Sequence, residues 1–349
     1  MIINDDIKFL LTVFEWLVAI LMFLLIYLVA RKASENRLRE KVEEYKGQMN
    51  DKVLHSVLTG EFLRSLQADT KAKKLAIEEL LSRYSDILEG TEEKKNLNLL
   101  AESMLGGDYR RALSSYRWST RMNALFHIEA FQMESLKEDI QVMLKRNRVT
   151  KKEKIKGLSF LAQIQHKEIY KFVTEDYKDL SYLEYRNILS RLDEKGLEHF
   201  MLGYHSCQLQ LKFAIIDLVG WKKNLAYLNF VESIFSNSNG EERVRALKAL
   251  ASIGHTRNED NFIPLMSSPN WEERMLAARL AGEMKCDKAI QELVRLLQDP
   301  SWWVRSQAGQ SITRFPEGKK ILHQVIESSS DPFAKDMAWE WMNKGVYQS

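Results

Sequence analysis

The sequence predicts an all-α protein in which an array of stacked helical hairpins follows one N-terminal transmembrane helix. Two observations support this prediction. Phe9 to Ala30 is an apolar run of 22 residues with one charge, Glu15, which is long enough for a helix to cross a bilayer. Residues 241–315 repeat themselves at a fixed interval, and a period of roughly 20 to 50 residues is typical of stacked-repeat proteins.

The repeat interval is 31 residues, and several kinds of position keep it. They are arginines, alanines and two apolar sets: Arg243, Arg274, Arg305; Ala246, Ala277, Ala308; Leu250, Ala281, Ile312; and Ile253, Met284, Phe315. Each unit is predicted to contain two helices, the first ending near Gly254 or Gly282. A capping side chain followed by proline at 268–269, 299–300 and 331–332 predicts helix starts, because proline lacks only an N–H that has no intrahelical partner there.

The unit reads acid or Ser, Pro, x, Trp, x, x, Arg, x, x, Ala, and it resembles the HEAT-repeat family in its short bacterial form. The likeness covers 225–345. It implies a right-handed α-solenoid whose long curved surface binds other proteins. Such repeats often pair the Arg with an Asp in the turn, and only Asp299 is clearly in that place here. The sequence therefore does not predict a regular Asp–Arg ladder.

Weaker copies of the unit precede the regular ones. Trp118-x-x-Arg121-Met122-x-Ala124 matches residues 271–277 position for position. We therefore predict one solenoid that is degenerate in its first half. The predicted segments are a short extracytoplasmic N-terminus (1–8), a transmembrane helix (9–30), an amphipathic juxtamembrane helix (31–59), degenerate HEAT-like repeats (60–224), and regular HEAT-like repeats with a C-terminal cap (225–349).

The apolar run 9–30 has two other interpretations, a signal peptide and a buried core helix. A signal peptide has a basic region first, whereas Asp5 and Asp6 precede this run with a single Lys8. Basic residues instead follow the run, at positions 31, 32, 37, 39 and 41. Because positive residues stay inside, we expect a single-pass protein of the cell membrane with its N-terminus outside and its solenoid in the cytoplasm.

Glu15 lies inside the apolar run and therefore has two possible roles. An ionisable group in a membrane usually faces a polar partner, which would be another membrane protein or a second copy of this one. Alternatively, Glu15 lies near the outer interface beside Trp16. Further along, apolar residues at helical spacing predict that the amphipathic helix 31–59 continues the span: Leu38, Val42, Tyr45, Met49, Val53 and Leu54.

Two surfaces are candidates for partner contact. Trp303 takes the position held by Glu272 and Glu241 in neighbouring repeats, and Trp339 and Trp341 follow one repeat later. Trp is enriched at binding hot spots, but large side chains also cap the open end of a repeat array. The second candidate is a basic segment that would meet anionic lipid or, less expectedly, nucleic acid, unless it is a solvated loop: Lys145, Arg146, Arg148, Lys151, Lys152, Lys154 and Lys156.

Composition and motifs give no reason to predict catalysis. The net charge is +3, and the two cysteines have no redox or metal spacing, which fits a reducing compartment. His199, His205 and Cys207 match no tetrahedral zinc pattern, and Asp217 is either a buried carboxylate or the polar edge of a helix. No phosphate loop, zinc-protease helix or nucleophile elbow is present. We therefore predict no catalytic residue, cofactor or metal.

These observations predict a membrane-anchored scaffold or adaptor that holds a partner protein at the cytoplasmic face. The partner would be a membrane enzyme such as a glycosyltransferase, a transporter or a sensor. The alternative is an enzyme or cofactor-handling protein, since short repeats of this type also resemble those of phycobiliprotein lyases. Burial of Asp217, His205 or His166 in a concave pocket would support that alternative.

Overall fold

The computed structural model describes residues 5–344, and within this range every regular element is helical, as predicted. Residues 1–4, half of the predicted extracytoplasmic N-terminus, lie outside the described range, as do residues 345–349 at the end of the predicted cap. The chain divides into two compact units, Met1–Phe160 and Leu161–Ser349. Each unit is described below by itself.

The first helix of unit 1, α1, is 55 residues long and spans Asp5–Thr59 without a break. By length and composition it is able to cross a membrane, and the most apolar part of it has no buried residue. No described part of the same chain therefore covers the predicted span 9–30. This apolar part of α1 is exposed, and the same helix continues into a part that packs against other helices.

The second half of α1 packs into unit 1. Val42, Met49 and Val53 are buried, and Val42 packs against Ala72 and Ala76 of helix α2, Lys71–Ile87. The apolar side of the predicted amphipathic helix is thus covered by the same chain. Unit 1 continues with four more helices: α3 (Thr91–Leu113), α4 (Trp118–Ala130), α5 (Lys137–Leu144) and α6 (Lys151–Gln163), in which the division between the units falls.

Unit 2 begins with irregular structure and becomes a two-layered stack. A short helix α7 (Ile169–Lys171) runs into a π turn, Phe172–Asp176. One layer contains α8 (Tyr182–Leu189), α10 (Leu209–Lys222), α12 (Gly240–Ile253), α13 (Trp271–Met284), α15 (Trp302–Ile312) and α17 (Pro332–Asn343), each packed on the next. The other layer contains α9 (Glu194–Leu202), α11 (Leu228–Asn237), α14 (Ile290–Leu296) and α16 (Gly318–Ser328). Where a helix is expected between α12 and α13, the proline-containing segment Ile263–Ser267 forms a 3₁₀ helix.

Two predicted helix ends are tested by the structure, and one of them is corrected. Gly254 does end α12, in the left-handed conformation with φ of 80°, which glycine adopts without strain. Gly282 instead lies inside α13. A Cβ on Gly282 would be 2.5 Å from the Cβ of Ser311 in α15, so this glycine permits close approach of two helices rather than a helix stop.

The predicted helix starts are right at one proline and shifted at two. Asp331 caps α17, because its carboxylate accepts hydrogen bonds from the N–H groups of Phe333 and Ala334. In contrast, α13 and α15 begin at Trp271 and Trp302, two residues beyond their prolines. The preceding loops leave Asp299 available for a side-chain contact, which is described next.

Candidate partner-binding surfaces

The repeated arginines hold the loop that precedes their own helix. Nη1 of Arg274 donates to the carbonyl oxygens of Ser268 and Pro269, at 2.8 and 3.2 Å. Nη1 of Arg305 makes the equivalent bonds to Asp299 and Pro300. Each arginine thereby satisfies carbonyl groups that the irregular loop leaves without a backbone partner.

At some repeats, but not at all of them, a carboxylate from the following repeat also contacts the arginine. Nε of Arg274 lies 2.6 Å from Oδ2 of Asp299, and this hydrogen bond raises the pKa of the guanidinium. Nε of Arg243 lies 3.9 Å from Oε1 of Glu273. Arg305 stacks instead over the ring of Phe333, 5.0 Å from its centroid. The partner of the repeated arginine therefore differs from repeat to repeat: an aspartate for Arg274, a more distant glutamate for Arg243 and an aromatic ring for Arg305.

Unit 1 contains the same arrangement of an arginine, the loop before its helix and a carboxylate, and here it is deeply buried. Arg121, in α4, donates from Nη1 to the carbonyls of Ser115 and Tyr116. Its Nε lies 2.6 Å from Oε1 of Glu153 in α6, and the two side chains are only 3% and 0% exposed. Glu153 also accepts from the N–H and hydroxyl of Thr150. The weak sequence match at Trp118–Ala124 therefore corresponds to the same local structure.

Exposed aromatic side chains occupy the first turn of successive helices at the C-terminal end of unit 2. Trp271, Trp302 and Phe333 stand in the first turn of α13, α15 and α17 at the 31-residue interval. They are 40%, 48% and 62% exposed. Because packed helices lie about 8–10 Å apart, these side chains follow one edge of the stack. We call Trp271, Trp302, Trp303 and Phe333 the aromatic edge.

Trp303 enlarges this edge where the neighbouring repeats carry charge. It is 61% exposed, and its ring meets that of Trp302 edge-on at 5.0 Å. The first turns of α12 and α13 each carry two glutamates, whereas that of α15 carries no acid. Trp302 and Phe333 were not among the residues that the sequence predicted for partner contact. The 31-residue step from Trp302 would have found Phe333.

The other two candidate tryptophans are not part of this edge. Trp341 is half-buried against α15, where a Cβ on Gly309 would be 2.4 Å from the Trp341 ring, and Lys344 lies over its ring. Trp339 is 54% exposed, and in the described chain no ring contact links it to Trp303 or Trp341. Trp341 thus has the packing expected of an end cap, while Trp339 is a separate exposed side chain.

A profile of the HEAT-repeat family matches residues 228–313 and, in a second overlapping copy, 259–340. Residues 228–340 are HEAT repeats. The match covers α11 to α17, which includes the aromatic edge. No curated protein matches the chain. A crystal structure of an engineered protein aligns with 85% of this chain, and the alignment covers 76% of that protein's chain, at 16% sequence identity and a TM-score of 0.36.

HEAT repeats are helical scaffolds that generally mediate protein interactions, and the matched segment is where the exposed aromatic side chains cluster.

The basic segment lies outside the matched residues and is partly engaged by its own unit. Arg146 donates to the carbonyl of Leu113, Arg148 to that of Ser114, and Lys156 pairs with Glu129. Lys145, Lys151 and Lys152 are exposed and Lys154 is half-buried. Residues 145–150 connect α5 to α6, and the remaining lysines form the first turns of α6.

The other candidate groups lie outside residues 228–340 in the sequence. Glu15 is exposed on the apolar half of α1. Asp217, in α10, accepts a hydrogen bond from Tyr182 and pairs with Arg245. His166 and His199 line a different cavity, of about 270 Å³. His205 is exposed and Cys207 is buried; in the described residues no group of three or more potential ligands could hold a metal ion.

Proposed function

We propose that this protein is a membrane-anchored scaffold: α1 holds it in the bilayer, and the aromatic edge of its HEAT repeats binds a partner protein. The observation that supports binding is the row of exposed aromatic side chains on consecutive repeats. The observation that supports anchoring is the fully exposed apolar half of α1. A bound partner would be held at the membrane at a raised local concentration.

The anchoring step rests on the cost of leaving this helix in water. The large apolar side chains from Phe9 to Val29 are 42–70% exposed on every face of the helix, and burying each contributes roughly 1.5–3 kcal/mol. No other described element covers them. The positive flank at 31–41 favours a cytoplasmic position for both units. Reporter fusions at each terminus, using an enzyme active only outside the cytoplasm, test this orientation; activity at the C-terminus would contradict it.

The continuity of α1 gives the anchor a mechanical role. Ala30 ends the apolar run, and the first buried side chain beyond it is Val42. Twelve residues of helix span about 18 Å. Unit 1 would therefore stand at a set distance from the bilayer on a rigid stalk instead of a flexible linker.

The docking step rests on the replacement of charge by indole at Trp303. Trp is enriched among residues whose truncation costs about 2 kcal/mol or more of binding energy. The change Trp303→Glu restores the charge that Glu272 and Glu241 provide in neighbouring repeats, so the fold should accept it. We expect partner binding to fall at least tenfold. The partner class we propose is a membrane protein such as a glycosyltransferase, a transporter or a sensor.

Site-specific photocrosslinking in cells tests the docking surface even while the partner is unidentified. A photoreactive phenylalanine analogue at Trp303 or Phe333 should give one discrete adduct. The same analogue at Lys319, an exposed residue of α16 in the other layer, is the control. Adducts of equal yield at all three positions would mean non-specific contact and would contradict the proposal.

Glu15 gives the anchor a candidate contact inside the membrane, and we propose this contact as a second point of recognition. Glu15→Gln retains hydrogen bonding, whereas Glu15→Leu removes it. If Glu15 faces a polar partner, the Leu variant loses the co-purifying protein in mild detergent and the Gln variant keeps it. Retention by both variants would assign Glu15 to the outer interface beside Trp16.

A further inference from the structure

A second concave surface lies in unit 2 over α10, between α8 and α12, where the residues that the family profile matches begin. Its deeper part is a cleft of about 160 Å³ lined by residues that include Tyr182, Arg186, Asp217, Trp221 and Lys248. A shallower hollow of about 360 Å³ shares Arg186 and Trp221 and adds Leu183 and Leu218. We call the two together the α10 groove.

In one wall of the α10 groove, Tyr182, Asp217, Arg245 and Phe213 contact one another. The hydroxyl of Tyr182 donates to Oδ2 of Asp217 at 2.5 Å, and Arg245 donates to the same oxygen. The Arg245 guanidinium lies between the rings of Tyr182 and Phe213, 4.9 and 4.6 Å from their centroids. Burial alone would lower the pKa of Arg245, but the Asp217 carboxylate raises it. The acid in the groove is therefore already neutralised by a fixed cation.

Two further cations in the α10 groove have no such partner. Arg186 and Lys248 are exposed on opposite sides of α10, and no carboxylate of the described chain is in ion-pair contact with either. Other arginines of unit 2 do have acids: Arg274 contacts Asp299, and Arg314 contacts Glu283. The groove thus combines one neutralised acid with two cations available to a ligand.

Apolar side chains lie beside these cations. Trp221 is 69% exposed and Leu183 is 68% exposed, although both project from helices whose other faces are well packed. Leu218 forms the floor between them. An indole, a leucine and two positive charges within one groove match a ligand that carries both carboxylates and a large apolar side chain.

We propose that the α10 groove binds a short acidic peptide segment of another protein, with carboxylates at Arg186 and Lys248 and an apolar side chain against Trp221 and Leu183. Arginine suits bidentate contact with a carboxylate, and the neutral Asp217–Arg245 pair avoids repulsion. A nucleic acid would need a line of cations that follows its backbone, whereas the apolar hollow favours a peptide side chain. This site is separate from the aromatic edge and does not depend on the proposed scaffold function.

Fluorescence anisotropy on the full-length protein in detergent tests the proposal. The probes are a labelled pool of twelve-residue peptides in which aspartate or glutamate alternates with leucine or phenylalanine, a matched pool with lysine for every acid, and a labelled single-stranded oligonucleotide. We expect only the acidic pool to bind. Affinity should fall at least tenfold in Trp221→Ala and in the double variant Arg186→Glu/Lys248→Glu.

The control is Arg257→Glu/Lys319→Glu, which makes the same charge change at exposed positions of unit 2 outside the groove. It should bind as the wild type does, and circular dichroism melts confirm that each variant folds. If the double reversal unfolds, Arg186→Gln/Lys248→Gln replaces it. Equal binding of the lysine pool, tighter binding of the oligonucleotide, or an equal loss in the control pair would overturn the proposal.

Discussion

At the scale of the residue, small side chains set how closely the helices of unit 2 stack. A Cβ on Gly220 would be 2.8 Å from the Cα of Ala249, and one on Gly282 would be 2.7 Å from the Cα of Ser311. Both distances involve backbone atoms, which cannot move without shifting a helix. Buried alanines at the repeat interval, Ala246, Ala277 and Ala308, are fully inaccessible and belong to the same packed layer.

We expect Gly282→Ala to destabilise the protein by roughly 1–3 kcal/mol, the usual cost of overpacking, although alanine is the better helix former. The matched control is Gly107→Ala, also inside a helix, where nothing lies within 4 Å of the new Cβ. That change should stabilise slightly. Urea unfolding of both variants gives the comparison, and a gain of stability in Gly282→Ala would show that α13 and α15 do not approach this closely.

The Arg121–Glu153 pair is the most deeply buried ion pair among the described residues. Removing one member leaves an uncompensated charge in the interior, which typically costs about 3–5 kcal/mol. We therefore expect Glu153→Ala to lower the free energy of unfolding by about that amount at neutral pH. Lys152→Ala, at the exposed neighbouring position, is the control and should change it by under about 0.5 kcal/mol.

The same pair predicts acid sensitivity. Burial by itself raises the pKa of the Glu153 carboxyl, but hydrogen bonds from Arg121 and Thr150 outweigh it and hold that pKa below its ordinary value of 4.5. The stabilisation is therefore present above about pH 4.5 and is lost as pH falls through the lower, folded-state pKa. Unfolding measured from pH 7 to pH 3 should show a steeper decline for the wild type than for Glu153→Gln. If the free energies of unfolding of the two proteins decline in parallel with pH, Glu153 is not the source of the acid sensitivity.

At the scale of the element, α1 serves two environments with one uninterrupted helix. Its first half has no covered face in the described chain, and its second half places Val42, Met49 and Val53 against unit 1. Ion pairs reinforce the contact: Arg39 and Lys46 both reach Glu79 of α2. These surface pairs contribute little energy, so the apolar stripe must supply most of the stability of this packing.

Val42→Lys tests this packing. Burying an unpaired ammonium is unfavourable by several kcal/mol, so the second half of α1 should leave α2. We expect trypsin to cleave within 31–59 at least tenfold faster than in the wild type. Gln48→Lys, at an exposed position of the same helix, makes the same change in charge and should be cleaved little faster. Equal protection of both variants would mean that α1 is held by other contacts.

At the scale of the whole molecule, the apolar span and the basic segment make different predictions for membrane attachment. Lysine at the centre of a transmembrane helix costs about 2.5–3.5 kcal/mol per residue, so Leu17→Lys/Leu21→Lys/Leu24→Lys should move the protein from the membrane fraction. Lys145→Glu/Lys151→Glu/Lys152→Glu should leave it there after alkaline carbonate extraction. Extraction of the wild type by carbonate, together with loss of attachment in the second variant at neutral pH, would favour binding to anionic lipid through the basic segment.

Patterns along the chain predict the helical class, the 31-residue interval, the apolar span and the amphipathic stripe that follows it. Each of these features depends on spacing along one helix or on an interval that the chain repeats. Each can therefore be predicted without knowledge of the tertiary contacts. The repeated arginines and alanines were recognisable for the same reason. The aromatic edge was only partly recognisable, because Phe333 differs in type from the tryptophans at the equivalent positions.

Tertiary structure alone decided which side chains face a neighbour. Gly282 is a contact point in the middle of a helix, Glu153 is the acid that meets Arg121, and Trp341 is covered while Trp303 is exposed. The contacts of Gly282, Glu153 and Trp341 join residues that are 29 to 32 positions apart in the chain. A repeat interval limits which residues lie on adjacent helices. Their contact is decided only when the helices stack, because burial and pairing are properties of the space between two elements.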